Sequence, residues 1–304
     1  MCFTPYMLSD LSAARHLAIE TLLLEADADF DPILLLYVND RSVIVGRNQN
    51  PWREVASGCT APVFRRISGG GTVFHDAGNL NWSLIVPRTA HDHDAELAMM
   101  AEAISSCGVP VVPGERGGLY CAASTGHAGS KVSGTARRIG SKLVLHHGTL
   151  LVSMNLADMD ACLGGASGID DNAVASVPAR VINLADIQPG VSIDSVVGDI
   201  CRHVAGARPL SFPAAMIPQQ LLETEMQRLE SYDWVYGSTP PFSHTVRTER
   251  HTARIAVGAG LVQSIDVVPE ATAAAVLAGA RYSAGLVDTL LRILSAIESG
   301  TNEE

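Results

Sequence analysis

The hydrophobic positions follow a helical rhythm in some segments of the chain and a strand rhythm in others. An apolar stripe at helical spacing covers 11–22, and Ser9 and Asp10 can cap the helix that it predicts. Unbroken or alternating apolar runs bounded by turn residues predict strands. These predicted strands are 33–38, 42–45, 79–87, 109–112, 131–136, 143–151, 251–257 and 261–268. Further helices are predicted at 95–107, 192–204 and 217–231, and two Ala- and Leu-rich helices after 268. Helices and strands that alternate in this way predict an α/β (α+β) fold.

One proline- and glycine-rich segment divides this pattern. Gly237 and two prolines, Pro240 and Pro241, interrupt any regular element there. We therefore predict a large domain over 1–236, a linker over 237–244, and a small α+β domain over 245–304.

Composition narrows the classes of function. The chain has 304 residues, of which 47% are hydrophobic and 17% are charged, as in a folded protein. Its net charge of −11 argues against a nucleic-acid binder. No apolar run reaches the roughly 18 residues that span a bilayer, so no membrane segment is expected. The N-terminus lacks the pattern of a secretory signal.

Cysteine and lysine usage adds two expectations. The six cysteines are widely scattered, which argues against a disulfide framework and paired zinc ligands and favours a reducing cytoplasm. Lys131 and Lys142 are the only lysines among 21 basic residues. Because a compact, mobile ammonium is not interchangeable with a guanidinium, both lysines are candidates for a functional role.

The segment 65–76 has the composition of an anion site. Arg65 and Arg66 precede three consecutive glycines, which leave the backbone free to turn its N–H groups toward an anion. Arginine adds a fork of donors that fits phosphate or carboxylate. A plain hairpin turn with two solvated arginines is the alternative, and this segment alone does not decide between them.

A second polar segment, 91–94, alternates histidine with aspartate. His91 and His93 could contribute to a metal site, but the sequence offers no third ligand nearby. We interpret the segment as a solvated helix start and predict no metal ligands of the protein.

Several motifs occur together and in order along the chain. Arg-Arg-x-Ser-Gly-Gly-Gly-Thr-Val-Phe-His-Asp-x-Gly-Asn resembles the signature of the lipoate–protein ligase and lipoyltransferase family, within the biotin/lipoyl protein ligase superfamily. The segments that are similar to this family are 45–54, 65–79, 131–136, 146–151, 175–184 and 234–240. The resemblance implies a mixed sheet flanked by helices, with a small C-terminal accessory domain.

The resemblance also implies a reaction. Family members join lipoate to a lysine of lipoyl domains, in 2-oxoacid dehydrogenase acyltransferase subunits and in the glycine cleavage H protein. ATP first converts the poorly reactive acid to lipoyl-AMP, with Mg²⁺ to spread charge. Lys131 is carried over as the catalytic residue. The residues carried over to bind substrate or adenylate are Arg66, Ser68, Gly69, Gly70, Gly71, Thr72, Val73, Phe74, His75, Arg116, Lys131, Ser133, Gly134, His147 and Thr149. Leu84, Val86, Leu143 and Leu145 are candidates to surround the acyl chain, although plain core is the preferred interpretation.

One departure from the family pattern leaves alternatives open. Family members usually have Asn-Asp where this chain has Gly117-Gly118, so a carboxylate that handles magnesium and phosphate is missing. The leading hypothesis is an ATP-dependent lipoate–protein ligase in the cytoplasm, expected to be a monomer. The runner-up is a lipoyl or octanoyl transferase that uses preformed lipoyl-AMP or a lipoylated protein. A transferase that depends on Cys121 and a non-catalytic binding module are the remaining alternatives.

Overall fold

The computed structural model describes residues 2–26 and 31–299, which fall into two compact units. The first unit contains residues up to Arg47, Ala61–Met159 and Val177–Glu230. The second contains Asn48–Thr60, Asp160–Ser176 and residues from Ser231 onward. The second unit therefore includes two earlier segments in addition to the C-terminal residues. The predicted domain limits, 1–236 and 245–304, stay a prediction.

Eight helices and sixteen strands are distributed over the described residues. The helices are α1 (Ala13–Glu25), α2 (Pro51–Glu54), α3 (His93–Ser105), α4 (Leu156–Cys162), α5 (Leu184–Ile187), α6 (Ile193–Ala205), α7 (Gln219–Glu230) and α8 (Ala284–Ser299). The first eight strands are β1 (Thr4–Met7), β2 (Ile33–Val38), β3 (Ser42–Val45), β4 (Val63–Arg65), β5 (Val73–His75), β6 (Asn79–Pro87), β7 (Val111–Pro113) and β8 (Leu119–Cys121). The others are β9 (Lys131–Ser133), β10 (Thr135–Ile139), β11 (Leu143–Leu151), β12 (Ile169–Asp171), β13 (Leu210–Ser211), β14 (Phe242–Arg247), β15 (Thr252–Gly258) and β16 (Leu261–Val268). Within these described residues no helix is both long and apolar enough to cross a membrane.

A six-stranded mixed sheet in the order β10-β11-β6-β2-β1-β13 forms the centre of the first unit. β1 is parallel to β2 and β13, and the other pairs are antiparallel. This confirms the predicted fold class, a mixed sheet flanked by helices. β6 and β11 are nine residues each, and eight of the nine are buried in each strand because both faces of the sheet are covered.

Alternation along the strands sends neighbouring residues to opposite faces of this sheet. Trp82, Leu84 and Val86 belong to the core that includes residues of α3 and α6. Ser83 on β6 and His147 on β11 point to the other face, where they bond to α1. Leu84 and Val86 are therefore core residues, as the preferred interpretation had it.

Two smaller sheets complete the first unit. One has the order β4-β3-β5, and the other has the order β7-β8-β9. The strands at 33–38 and 42–45 have the predicted limits, but they belong to different sheets. β2 joins the large sheet, whereas β3 pairs with β4 and β5. The segment from 66 to 72 connects β4 to β5.

The start of α1 differs from its prediction. Ser12 caps the helix, because its side chain accepts a hydrogen bond from the backbone N–H of Arg15 at 3.2 Å. Asp10 accepts from the backbone N–H of Ser12 instead. Leu11 consequently lies before the helix and is 47% exposed, so it is not part of the buried stripe.

The second unit has its own sheet and core. The sheet has the order β12-β14-β15-β16, and all its pairs are antiparallel. Residues of β14, β15 and α8 form a separate hydrophobic cluster, against which Trp52 packs. The predicted linker overlaps a regular element, because β14 begins at Phe242.

A disulfide corrects the expectation drawn from the scattered cysteines. Cys59 and Cys162 are bonded although 103 positions separate them in sequence. Their two segments are also joined by backbone hydrogen bonds, from Ala56 N–H to the Cys162 carbonyl and from Gly164 N–H to the Glu54 carbonyl. Spacing along the chain does not reveal a pair that only the folding of these two segments brings together.

Candidate functional site

The glycine turn (residues 66–71) is braced from inside by Arg66. The guanidinium donates to the carbonyls of Gly69 (2.5 Å), Gly71 (2.7 Å) and Ile44 (3.1 Å), and its Nε donates to Ser68 Oγ at 3.0 Å. Gly70 has a φ of +84°, and a Cβ there would lie 3.1 Å from the Nη2 of Arg66. This close approach and the positive φ together require glycine.

These hydrogen bonds from Arg66 leave the opposite side of the glycine turn open. Because the carbonyl of Gly69 faces Arg66, the N–H of Gly70 in the same peptide unit points away from the guanidinium. Within residues 2–26 and 31–299, the N–H groups of Gly69, Gly70 and Gly71 donate to no acceptor. None of these glycines is buried. Consecutive accessible N–H groups of this kind suit an anion.

Arg66 is itself deeply buried. It is 6% exposed, and burial lowers its pKa to about 10, although the Glu20 carboxylate counteracts this. Most of its N–H groups are already bonded within the protein. The prediction that Arg66 lines the adenylate stays a prediction, and what the structure gives is its bonding within the turn.

Ser68 connects the turn to β11 and to α1. Its Oγ lies 2.6 Å from Nε2 of His147, and the Nδ1 of that ring lies 3.0 Å from both oxygens of Glu20. Glu20 also accepts from the hydroxyls of Tyr37 (2.8 Å) and Ser83. Ser68 is fully buried, and Glu20 is 1% exposed.

This environment keeps Glu20 ionised. Burial alone would raise the pKa of the Glu20 carboxyl, but the charge and hydrogen bond of His147, with the hydroxyls of Ser83 and Tyr37, hold it below its usual value. Glu20 was not predicted as a site residue from the sequence. A signal was available, since Glu20 lies on the buried stripe of α1, three positions after Leu17 and four before Leu24.

His75 ends β5 with a ring that stays neutral. Burial, reinforced by the charge of Arg66, lowers its pKa to about 3. Its Nδ1 lies 2.8 Å from Nδ2 of Asn39, and Oδ1 of Asn39 lies 2.7 Å from Nδ1 of His16. The Nε2 of His75 is buried without a hydrogen-bond partner in the described residues. It is therefore a polar atom that a bound molecule can satisfy.

Lys131 and Thr149 converge on Gly134. A Cβ on Gly134 would lie 3.5 Å from Lys131 Nζ and 3.8 Å from Thr149 Oγ1. The N–H of Gly134 donates to Thr149 Oγ1 at 3.3 Å, and its carbonyl accepts from the N–H of Thr149 at 2.9 Å. Burial, with the nearby charge of Arg116, lowers the pKa of Lys131. Ser133 beside them has a buried hydroxyl without a partner in the described residues.

Glycine stands at 117 and 118, where the family usually has Asn-Asp, and neighbouring side chains leave little room for a Cβ at either position. Arg116 is exposed and has a φ of +57°, in a turn that precedes β8. A Cβ on Gly118 would lie 2.9 Å from Cε of Lys131 and 2.8 Å from the ring of Tyr120. A Cβ on Gly117 would lie 2.9 Å from Oγ1 of Thr135. Larger residues at these positions would displace Lys131 or the start of β10.

The predicted residues therefore form two groups around β10 and β11. The glycine turn approaches β10, since a Cβ on Gly70 would lie 3.6 Å from that of Ala136. His147 and Thr149, two positions apart, share one face of β11. Phe74 is different, because its side chain is 2% exposed and packs in the interior. Thr72 and Val73 are half-buried beside the turn.

The segment 91–94 is a helix start, as predicted. Asp92 caps α3 through the N–H groups of Asp94 and Ala95. His91 contacts Glu96 at 2.8 Å, and Glu96 also pairs with His146 on β11 at 2.8 Å. Over the part of the chain that the structure describes, no three His, Cys, Asp or Glu residues are arranged to hold a metal ion.

Residues 12–205 match the family described as the lipoyl protein ligase A/B catalytic domain. The chain belongs to this family. A Schizosaccharomyces pombe protein of the lipoate-protein ligase A type is 31% identical, over 93% of this chain and 86% of that protein. The lipoyl amidotransferase LIPT1 of Mus musculus, a mitochondrial protein, is 33% identical over 72% of this chain, which spans 61% of its length.

Solved structures show the same fold. P. falciparum LipL1, crystallised with lipoate, has a TM-score of 0.63 at 19% identity and covers 99% of this chain and 100% of its own. A lipoate-protein ligase A bound with ATP has a TM-score of 0.60 at 24% identity, over 77% of this chain and 99% of its own. The family match and the similarity to these two relatives show that this lipoyl protein ligase family member is an enzyme.

Proposed function

We propose that the chain is a lipoate–protein ligase, which activates lipoate with ATP and transfers the lipoyl group from lipoyl-AMP to a lysine of a lipoyl domain. The observation that carries this proposal is the pairing of two groups near one hairpin. The glycine turn offers unbonded N–H groups, and Lys131 and Thr149 offer a cation and a hydroxyl beside Gly134.

These groups suit an acyl phosphate. The N–H groups of Gly69 to Gly71 can bind phosphate or carboxylate oxygens without a side chain in the way. The ammonium of Lys131 can then contact the carboxylate oxygen and the α-phosphate together, which holds both in attack geometry. Lys131 is half-buried, so its charge acts with little screening by water. Formation of the anhydride bond expels pyrophosphate.

The transfer step uses the same donors. When the amine of the acceptor lysine attacks the anhydride carbon, negative charge develops on the acyl oxygen and AMP departs. Donors fixed before the reaction stabilise such an oxyanion most effectively. We expect the acceptors to be lipoyl domains of 2-oxoacid dehydrogenase acyltransferase subunits and the glycine cleavage H protein.

Magnesium fits this site poorly through protein ligands. Glycines stand at 117 and 118, and the charged group that acts on Lys131 is Arg116, a cation. Hard cations require oxygen ligands, usually carboxylates. The residues at this site therefore do not fit a magnesium ion held by the protein.

The absence of a carboxylate at positions 117 and 118 favours a second candidate, a lipoyl transferase that uses preformed lipoyl-AMP or a lipoylated protein. Such an enzyme needs the glycine turn and Lys131, but it needs no magnesium ligand because it releases no pyrophosphate. The steric fit of Lys131 against Gly118 supports it, as does the similarity to mouse lipoyl amidotransferase.

Parallel incubations separate the two candidates. Purified protein is mixed with an unmodified lipoyl domain and either lipoate, ATP and Mg²⁺ or lipoyl-AMP, and the acceptor mass is measured. A ligase modifies the acceptor in both mixtures, and a transferase only with lipoyl-AMP. The Lys131→Ala variant is the control for contaminating activity. A third mixture supplies a lipoylated protein as the donor, and an acceptor that stays unmodified in all three mixtures would refute both candidates.

A further inference from the structure

A buried chain of hydrogen bonds links α1 to the glycine turn. It runs from Glu20 through the ring of His147 to Ser68, and from Ser68 to Arg66. Each contact lies between 2.6 and 3.0 Å. Glu20 and His147 are 127 positions apart, so this link is made only in the folded first unit.

The direction of the chain follows from the chemistry of its members. An ionised carboxylate can only accept, so His147 donates from Nδ1 to Glu20. The opposite nitrogen, Nε2, then faces Ser68 in one fixed orientation. The Oγ of Ser68 also accepts from the Nε of Arg66, which donates its other hydrogens to the carbonyls of the turn. A change at Glu20 therefore reaches the turn through three side chains.

The arrangement resembles the serine–histidine–carboxylate set of hydrolases, but burial argues against that use. Ser68 is fully buried, and its oxygen is already bonded to both His147 and Arg66. A nucleophile has to be reachable by its substrate. The chain is instead suited to fix the position of the turn.

We propose that Glu20 is a positioning residue, which orients His147 and thereby holds Ser68, Arg66 and the glycine turn in the form that binds an acyl-adenylate. The inference rests on the proposed function for the identity of the ligand. The coupling of Glu20 to the turn does not depend on that identity.

The fold offers a matched control on the opposite face of the same strand. Glu96 on α3 is 5% exposed and accepts from Nδ1 of His146 at 2.8 Å, as Glu20 does from His147. His146 and His147 are adjacent, yet Glu96 and His146 have no hydrogen bond to the glycine turn in the described residues. Glu96→Gln therefore removes a comparable buried charge without touching the chain that ends at Arg66.

The experiment compares Glu20→Gln with Glu96→Gln in the full-length protein. Amide hydrogen exchange is measured without ligand at Arg47 and Arg66, whose N–H groups donate to the carbonyls of Ser68 and Val45 and so report the position of the turn. The dissociation constant of lipoyl-AMP is measured by calorimetry. Loss of a charge-assisted hydrogen bond typically weakens a coupled equilibrium about tenfold or more. We expect Glu20→Gln to speed exchange at Arg47 and Arg66 and to weaken lipoyl-AMP binding on the order of tenfold, with a smaller change in kcat. Glu96→Gln should change neither.

A double-mutant cycle with Ser68→Ala tests the route. Ser68→Ala should reproduce the faster exchange at Arg47 and Arg66, and adding Glu20→Gln to it should have little further effect, because both break one chain. Additive effects, or equal exchange in Glu20→Gln and Glu96→Gln, would overturn the proposal. An acyl adduct on Ser68, found by mass spectrometry, would overturn it as well.

The exchange measurement separates this proposal from the proposed function. If the wild-type protein fails to bind lipoyl-AMP, the proposed function is refuted, while exchange in the ligand-free protein still decides the role of Glu20. If lipoyl-AMP binds equally well to wild type and Glu20→Gln, only the positioning role is refuted.

Discussion

Arg66 donates from Nη2 to the carbonyl of Gly71 at 2.7 Å, and this bond turns the glycine segment toward its own arginine. The guanidinium serves four acceptors at once, namely Ser68 Oγ and the carbonyls of Ile44, Gly69 and Gly71. An arginine in an anion-binding motif is usually assigned to the anion. Here Arg66 is bonded within the turn, and in the described residues the N–H groups of Gly69, Gly70 and Gly71 have no acceptor.

Arg66→Lys should therefore damage stability and binding together. An ammonium cannot reach four acceptors from one position, and each charged hydrogen bond lost costs about 1.5–3 kcal/mol. We expect the free energy of unfolding, measured with urea, to fall by about 2 kcal/mol. Lipoyl transfer from lipoyl-AMP should fall at least tenfold in kcat/KM, on the order of that same loss.

Arg88→Lys is the control for this substitution, since Arg88 is exposed after β6. Its stability and activity should stay at the wild-type level. An Arg66→Lys protein with wild-type stability would show that the bonds within the turn contribute nothing measurable.

Gly118→Ala should displace the proposed catalytic lysine. The new Cβ would lie 2.9 Å from Cε of Lys131 and 2.8 Å from the Tyr120 ring, so at least one of them has to move. Overpacking of this kind costs about 1–3 kcal/mol, and a displacement near 1 Å can cost about a hundredfold in rate. We expect a loss of kcat on the order of tenfold or more, measured as initial rates of lipoyl transfer.

Gly58→Ala serves for comparison, because a Cβ at that position meets nothing within 4 Å. It should retain full activity. If Gly118→Ala transfers lipoyl groups at the wild-type rate, then the position of Lys131 set by Gly118 is unimportant for the reaction.

The parts of the fold that the sequence predicted are those with a strong local signal. β6 and β11 have the predicted limits because apolar residues recur along both segments, at 80, 82 and 84–86 in β6 and at 143–145 and 150–151 in β11. Asp92 was placed correctly at a helix start, since capping depends on the next few residues. The strands that pair with β2 and with β3 were not predictable in this way, because each pairing depends on contacts with strands that are distant in sequence.

The same distinction applies to the site residues: those within motifs were predicted, and the one that depends on a distant partner was not. Lys131 and Thr149 were identified through their motifs, and the structure brings both to Gly134. Glu20 lies outside every motif, and the partner that explains its burial is 127 positions away. A carboxylate on a buried helical stripe indicates a buried partner but does not name it. Tertiary packing supplies that information.

The disulfide should stabilise the second unit. Cys59 and Cys162 close a loop of 103 positions, and a crosslink over about 100 residues destabilises the unfolded state by about 4.7 kcal/mol in the entropy-based account. Because engineered and natural bonds often deliver less, we expect Cys59→Ser to cost about 2–4 kcal/mol. Calorimetry of the oxidised proteins measures this cost.

Cys2→Ser is the matched variant, since Cys2 is an exposed free thiol. It should unfold like the wild type with and without dithiothreitol. Wild-type protein treated with dithiothreitol should match Cys59→Ser. Equal unfolding temperatures for oxidised wild type and Cys59→Ser would show that the hydrogen bonds between the two segments suffice.

The last prediction concerns acid. Burial next to the Arg66 charge lowers the pKa of His75 to about 3 in the folded protein, against about 6.5 in an unfolded chain. Between these values the unfolded state binds one proton more than the folded state. His75 therefore contributes stability that is present above pH 6.5 and is lost as the pH falls toward 3. The slope is about 1.4 kcal/mol per pH unit for one proton.

His75→Gln should flatten this slope, because its side chain does not titrate. Free energies of unfolding measured with urea at pH 7, 6, 5 and 4 should fall less steeply for His75→Gln than for wild type, by about 1.4 kcal/mol per unit below pH 6. Parallel curves for His75→Gln and wild type would mean that His75 is protonated in the folded state or accessible to water. Its buried, unpartnered Nε2 would then have to be explained by a rearrangement of the turn at low pH.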